Sequence, residues 1–225
     1  MAVSSRGLAL ALILSFSSLC YLAAPSSAAT TTSDPDGFLQ CLSGSVPSGL
    51  IYTQGSSNFT DVLATSVRNP RVFTGDTARP LCVVTATDAS HVQAAVRCGR
   101  ARGVRLRVRS GGHDYEGLSY RSLQRGEVFA VVDLARLRAV AVSAGGGGAW
   151  PAAPTAWVES GATLGELYYT VAGNNSGLAF PAGICPTIGV GGHLSGGGIG
   201  MLMRRFGLAA RHVLDAKLVT ADGDL

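Results

Sequence analysis

Two side chains capable of nucleophilic chemistry sit in glycine-rich surroundings far apart in this chain. His113 follows Arg109-Ser110-Gly111-Gly112 and precedes Asp114-Tyr115. Cys185 lies in the run from Gly183 to Gly200, which holds eight glycines in eighteen residues and a second histidine, His193. Imidazole nitrogen and thiolate both attack electron-poor carbon. Glycine removes Cβ and admits positive φ, so main chain can turn sharply and approach a ligand. Successive N–H groups on such backbone form an anion-binding concavity. Three clusters qualify: Ser110-Gly111-Gly112, Gly161-Ala-Thr163-Leu164-Gly165, and Gly189-Val190-Gly191-Gly192-His193 with Ser195-Gly196-Gly197-Gly198. Three separated clusters predict one large cofactor laid across several loops.

The common nucleotide fingerprints are absent. Gly189-Val-Gly191 meets Leu194 where a dinucleotide fold requires its third glycine, and no acidic residue follows at the required distance. A P-loop is excluded because no Gly-Lys-Ser/Thr occurs and Lys217 is the sole lysine. No metal site is expected.

These residues need elements to hold them. A short helix is expected over Asp34–Leu42, then an irregular segment to about Asp76. Leu81–Thr85 reads as a buried strand, with a helix starting at Thr87-Asp88 and ending at Gly103. Val104–Arg109 reads as a strand delivering the His113 loop, and the apolar Val128–Leu134 as a strand buried on both faces. Arg105, Arg107 and Arg109 alternate with Leu106 and Val108, which predicts a solvated strand face. Arg138–Ser143 and Ala156–Ser160 read as a hairpin around the low-complexity loop Ala144–Pro154, expected to be floppy. Thr163-Leu-Gly-Glu166 opens a helix to Ala172, and Val213–Thr220 reads as a final strand. The fold class is α+β. A strand ending at Ala221–Leu225 with no partner leads us to expect a truncated sequence.

Of 225 residues 47% are hydrophobic and 14% charged, which fits a globular core and argues against disorder. Residues 1–29 read as a secretory signal: Arg6, the apolar run Leu8–Leu14, then small residues to Ala29. That core is too short for a membrane span. Asn58-Phe-Thr60 and Asn174-Asn-Ser176 are glycosylation acceptors in that compartment. Without Cys20, four cysteines permit three pairings. Cys82 sits in a strand pattern and Cys185 in the glycine run, so Cys41–Cys98 is the expected disulfide. The cluster Arg97–Arg109 has no interleaved aromatics, so nucleic acid is not an expected partner. Trp150 and Trp157 form no aromatic stripe, which disfavours a carbohydrate-binding module.

Arg109-Ser-Gly-Gly-His-Asp-Tyr-Glu-Gly-Leu-Ser-Tyr120 and Phe180-Pro-Ala-Gly-Ile-Cys-Pro-Thr-Ile-Gly-Val-Gly-Gly-His-Leu-Ser-Gly-Gly-Gly198 resemble the paired signatures of plant berberine bridge enzyme-like proteins. The resemblance runs from about Phe38 to Leu225. It implies an FAD-binding fold of the PCMH/VAO type with two α+β subdomains, the substrate domain being largely missing. After the signal, residues 30–75 would form the N-terminal segment and 76–225 the FAD-binding domain proper. It further implies FAD bound covalently through His113 and Cys185. Candidate cofactor contacts are then Arg109, Ser110, Gly111, Gly112, Asp114, Ser119, Gly161, Thr163, Leu164, Gly165, Gly183 and the residues Gly189–His193 and Ser195–Gly198. Tyr115 would face the substrate. Ile188, three residues beyond the thiol, would act as a gate that slows oxygen. Ile199, Arg211 and His212 depart from the family pattern. The implied activity is hydride transfer from an alcohol or activated C–H of a phenolic, sugar or alkaloid substrate, by a secreted monomer. The alternative is an inactive flavin-binding remnant.

Overall fold

The computed structural model describes residues 32–145 and 153–225. The expected signal and residues 146–152 of the low-complexity loop lie outside the described residues.

Helix α1 (Pro35–Ser43) starts where the sequence predicts. The Asp34 carboxylate accepts the Gly37 N–H at 2.9 Å, and Pro35 has no N–H to satisfy. Phe38 and Leu42, four apart, bury one face. Helix α3 (Ala89–Arg102) is capped by Asp88, which accepts the Ser90 N–H at 2.8 Å, and ends at Gly103 with φ 63°. The disulfide Cys41–Cys98 joins the two helices, as expected. Cys82 is buried and its thiol is pushed up to about 12 by loss of water, so it behaves as a small apolar group.

The main sheet contains β1 (Ile51–Thr53), β2 (Cys82–Thr85), β3 (Arg105–Arg109) and β4 (Phe129–Asp133) in the order β1-β2-β4-β3. Strands β2, β4 and β3 run parallel, and β1 closes one edge antiparallel. Strand β4 is buried throughout, as its unbroken apolar run requires. One face packs on α1 and α3 through Val84, Ala95 and Val132. The other packs on Phe59, Leu63 and Tyr120. The segment before Asp76, expected to be irregular, supplies β1 and the short helix α2 (Phe59–Ala64). Three-residue and six-residue elements give too little periodicity to read from sequence.

A second sheet pairs β5 (Val140–Ser143) with β6 (Thr155–Val158) as the expected hairpin. It packs on α4 (Leu164–Asn174) and α5 (Val190–Ser195) around Leu164, Leu167, Val171 and Val190. Helix α4 opens with the predicted capping box. The Glu166 carboxylate accepts the Thr163 N–H at 2.9 Å, and Thr163 Oγ1 accepts the Glu166 N–H at 3.3 Å. The architecture is α+β.

Two expectations are corrected. Val213–Thr220 is no strand: no neighbouring strand offers it a ladder among the described residues, and most of it is exposed. It leads into a turn docked on α3, where the Gly223 carbonyl accepts from Gln93 at 2.7 Å and Arg97 at 2.8 Å. The arginine stripe on β3 is a solvated face only at its start: Arg105 is exposed, while Arg107 is half-buried against Glu127. Val108 is exposed and Arg109 is completely buried.

Candidate cofactor site

The site lies where the loop leaving β3 meets the loop entering α5. Arg109, the last residue of β3, donates from Nε to Asp133 Oδ2 at 3.1 Å. Its Nη2 reaches the same carboxylate and the Val62 carbonyl at 2.9 Å, and Nη1 reaches the Leu63 carbonyl. Every arm of the guanidinium is used inside the protein. Arg109 is therefore a strut tying β3, β4 and α2, and its charge is not free for a ligand.

Beyond it, glycine lets two stretches of main chain touch. A Cβ on Gly111 would stand 2.3 Å from the Gly189 nitrogen and 2.7 Å from the Thr187 carbonyl oxygen. A Cβ on Gly112, at φ +67°, would run into the Ser66 carbonyl. Gly161 is pressed on the Leu134 carbonyl, and Gly165 lies against Pro186. The glycines therefore serve loop-to-loop contact first, rather than clearing space for a ligand alone. Gly192 differs. It is exposed in the first turn of α5 with no atom within 4 Å of its missing Cβ.

This packing leaves main-chain donors without acceptors. Among the described residues, the N–H groups of Gly111, Gly112, His113, Gly189 and Gly192 donate to no backbone or side-chain group. Gly111, Gly112 and Gly189 are buried. Buried N–H groups demand acceptors, which makes this cluster the candidate anion site.

His113 lies over the junction, its Nε2 2.6 Å from Thr187 Oγ1. Burial, with the nearby Arg68 charge, holds its imidazole below the usual histidine range, so the ring is neutral at neutral pH. Cys185 is a free, exposed thiol at the start of a turn closed by the Ile188 N–H to its carbonyl at 3.3 Å. Leu164 and Gly165 buttress that turn, donating to the Ile188 and Pro186 carbonyls at 2.9 Å each. His193 is clamped between Gly183 and Gly198, and its Nε2 accepts the Gly183 N–H at 3.0 Å. Burial lowers its pKa too.

The structure thus brings Ser110, Gly111, Gly112 and His113 together with Cys185, Gly189, Val190, Gly191 and Gly192. It turns other candidates to local structure. Asp114 closes its own turn by accepting from Leu118 and Ser119. Thr163 caps α4, and the Leu164 side chain is core. Ser195 bonds back to the Gly191 carbonyl at 2.8 Å, while Gly197 and Gly198 receive the N–H groups of Ala210 and Ala209. Gly196 ends α5. Tyr115 is 89% exposed, and its carbonyl accepts from Asn69 Nδ2 at 2.8 Å. His212, where the sequence departs from the family pattern, bonds the Phe206 carbonyl at 2.9 Å.

A family model described as "FAD binding domain" matches residues 80–225. Berberine bridge enzyme-like Cyn d 4 of Cynodon dactylon is 48% identical over 98% of this chain and 41% of its own length. Tetrahydroberberine oxidase of Berberis wilsoniae is 43% identical over 89% of this chain and 36% of its own length. Among solved structures, wild-type Phl p 4.0202, a glucose dehydrogenase, superposes with a TM-score of 0.78 at 55% identity, covering 83% of this chain and 36% of that one. The chain belongs to the berberine bridge enzyme-like FAD-binding proteins. It spans about two fifths of the length of these relatives.

A berberine bridge enzyme-like chain needs a place for pyrophosphate and ring, and the residues present fit that need. The unpaired N–H cluster suits a pyrophosphate, and open Gly192 leaves room beside it. Sequence reasoning missed Asp133, which neutralises Arg109, and Thr187, which holds His113. An aspartate closing an apolar strand was a signal for the first. A hydroxyl two residues beyond the thiol was a signal for the second.

Proposed function

We propose that this chain is the FAD-holding part of a flavin-dependent oxidoreductase, with the cofactor anchored at both His113 and Cys185. The observation that carries this reading is the meeting of the two motifs: the imidazole of one is hydrogen-bonded into the thiol-bearing turn of the other. Bound FAD supplies hydride acceptance from an alcohol or activated C–H of a small molecule. The chain's own residues do the rest. The N–H groups at Gly111–His113 hold the pyrophosphate, the neutral His113 offers a lone pair, and Cys185 presents its thiol at the mouth of the turn. Tyr115, fully open, is available to a substrate.

Relatives described as glucose dehydrogenase and tetrahydroberberine oxidase support a sugar or alkaloid donor. Ile188 sits half-buried beside Cys185 as the oxygen gate. An isoleucine-to-valine variant of Phl p 4 is described as a glucose oxidase, which supports slow oxygen use here. The Cys41–Cys98 disulfide supports secretion after cleavage near Ala29, with sugar chains at exposed Asn58 and Asn174. Yellow flavin absorbance that stays with acid-precipitated protein is the expected result. Colour that washes into the supernatant contradicts covalent anchoring, and colourless folded protein contradicts flavin binding.

A further inference from the structure

We propose that Thr187 is a positioning residue for His113, holding the imidazole at Nε2 so that Nδ1 is the nitrogen presented to the flavin. This rests on the anchoring reading above and adds to it a residue that neither motif assigns to the cofactor.

The geometry singles out Thr187. Its Oγ1 is 2.6 Å from His113 Nε2, and among the described residues His113 Nδ1 has no hydrogen-bond partner. The hydroxyl is not on a loose loop. The Ile188 N–H closes the turn onto Cys185, the Gly165 N–H fixes the Pro186 carbonyl, and Gly111 packs on the Thr187 carbonyl. One short turn thus sets both the thiol anchor and the orientation of the imidazole anchor. A neutral imidazole carries one N–H and one lone pair. When Nε2–H donates to Thr187, the lone pair is at Nδ1.

A hydroxyl suits the whole step because it can either accept or donate. His113 gains a bond from Nδ1 to the flavin 8α-carbon, which loses one hydrogen, and the imidazole loses its Nε2 proton. The two electrons and two protons released reduce dioxygen to hydrogen peroxide. Nε2 then bears a lone pair, and the Thr187 hydroxyl rotates to donate to it. The contact survives the reaction with its direction reversed. Valine matches threonine in shape but can do neither, whereas serine can do both.

The test uses the full chain with T187V and T187S. Flavin on the tryptic peptide containing His113 is measured by mass spectrometry relative to flavin on the peptide containing Cys185. T187V is expected to lower that ratio about five- to tenfold, the effect of one lost hydrogen bond, while T187S keeps it near the parent value. An unchanged ratio in T187V overturns the proposal. So does an equal fall of both linkages with a lower melting temperature, because that marks a merely structural threonine. If the parent carries no flavin, the anchoring reading fails separately. Nitrogen-15 spectra of the His113 ring then decide: an Nε2–H tautomer in parent and T187S, lost in T187V, supports the role, and an Nδ1–H tautomer in the parent refutes it.

Discussion

Replacing Gly111 by alanine tests whether the two glycine loops touch as described. The new Cβ would stand 2.3 Å from the Gly189 nitrogen and 2.7 Å from the Thr187 oxygen, both main-chain atoms. Carbon contacts are comfortable at about 3.5–4.0 Å, so the loops must part by roughly 1 Å. Overpacking of that kind costs about 1–3 kcal/mol. For a chain of this size it lowers the melting temperature by about 2–12 °C. Gly192→Ala is the matched control. With no atom within 4 Å, its methyl meets only open space, and alanine in a helix is favoured over glycine by about 0.5–1 kcal/mol. Differential scanning calorimetry should find Gly111→Ala melting lower than the parent and Gly192→Ala slightly higher. Flavin content should fall in both, for opposite reasons: a displaced loop in the first, a methyl under the cofactor in the second. A Gly111→Ala protein with parental stability would refute the loop contact. A Gly192→Ala protein with full flavin would show that the cofactor does not rest on that face.

Three further outcomes follow from the same structure. Asp133→Ala leaves the Arg109 charge buried and unpaired, and urea unfolding should show a loss of about 3–5 kcal/mol. An unchanged midpoint would remove Arg109 as the strut. Cys98→Ser opens a bridge between residues 57 apart and should cost about 4 kcal/mol by loop entropy, read as a lower midpoint. Burial lowers the folded pKa of His193, so below the unfolded histidine value, about 6.5, the unfolded chain binds the proton that the folded chain refuses. Stability should therefore fall as pH drops below that value, and His193→Gln should flatten the slope. Identical slopes in parent and variant would contradict the burial.

The parts that sequence made legible are those governed by local rules. The caps at Asp88 and Thr163, the left-handed stop at Gly103, the buried β4 and the β5–β6 hairpin all depend on neighbours in the chain. The strand expected at Val213–Thr220 failed because a strand also needs a partner, which no local pattern supplies. Arg109 looked solvated because alternation identifies a face but not what covers it, and α2 with Asp133 covers this one. Glycine spacing singled out the candidate loops but not all that the glycines do there. The missing side chains at Gly111 and Gly189 make room for each other, and only the unpaired N–H groups they leave behind point to a ligand.

Mass spectrometry of a trypsin digest of the flavin-loaded chain tests the double anchor most directly. One cross-linked species is expected, in which a single FAD joins the peptide bearing His113 to the peptide bearing Cys185, lighter than its parts by the hydrogens lost at the two bonds. Both peptides recovered unmodified from folded, yellow protein would contradict it.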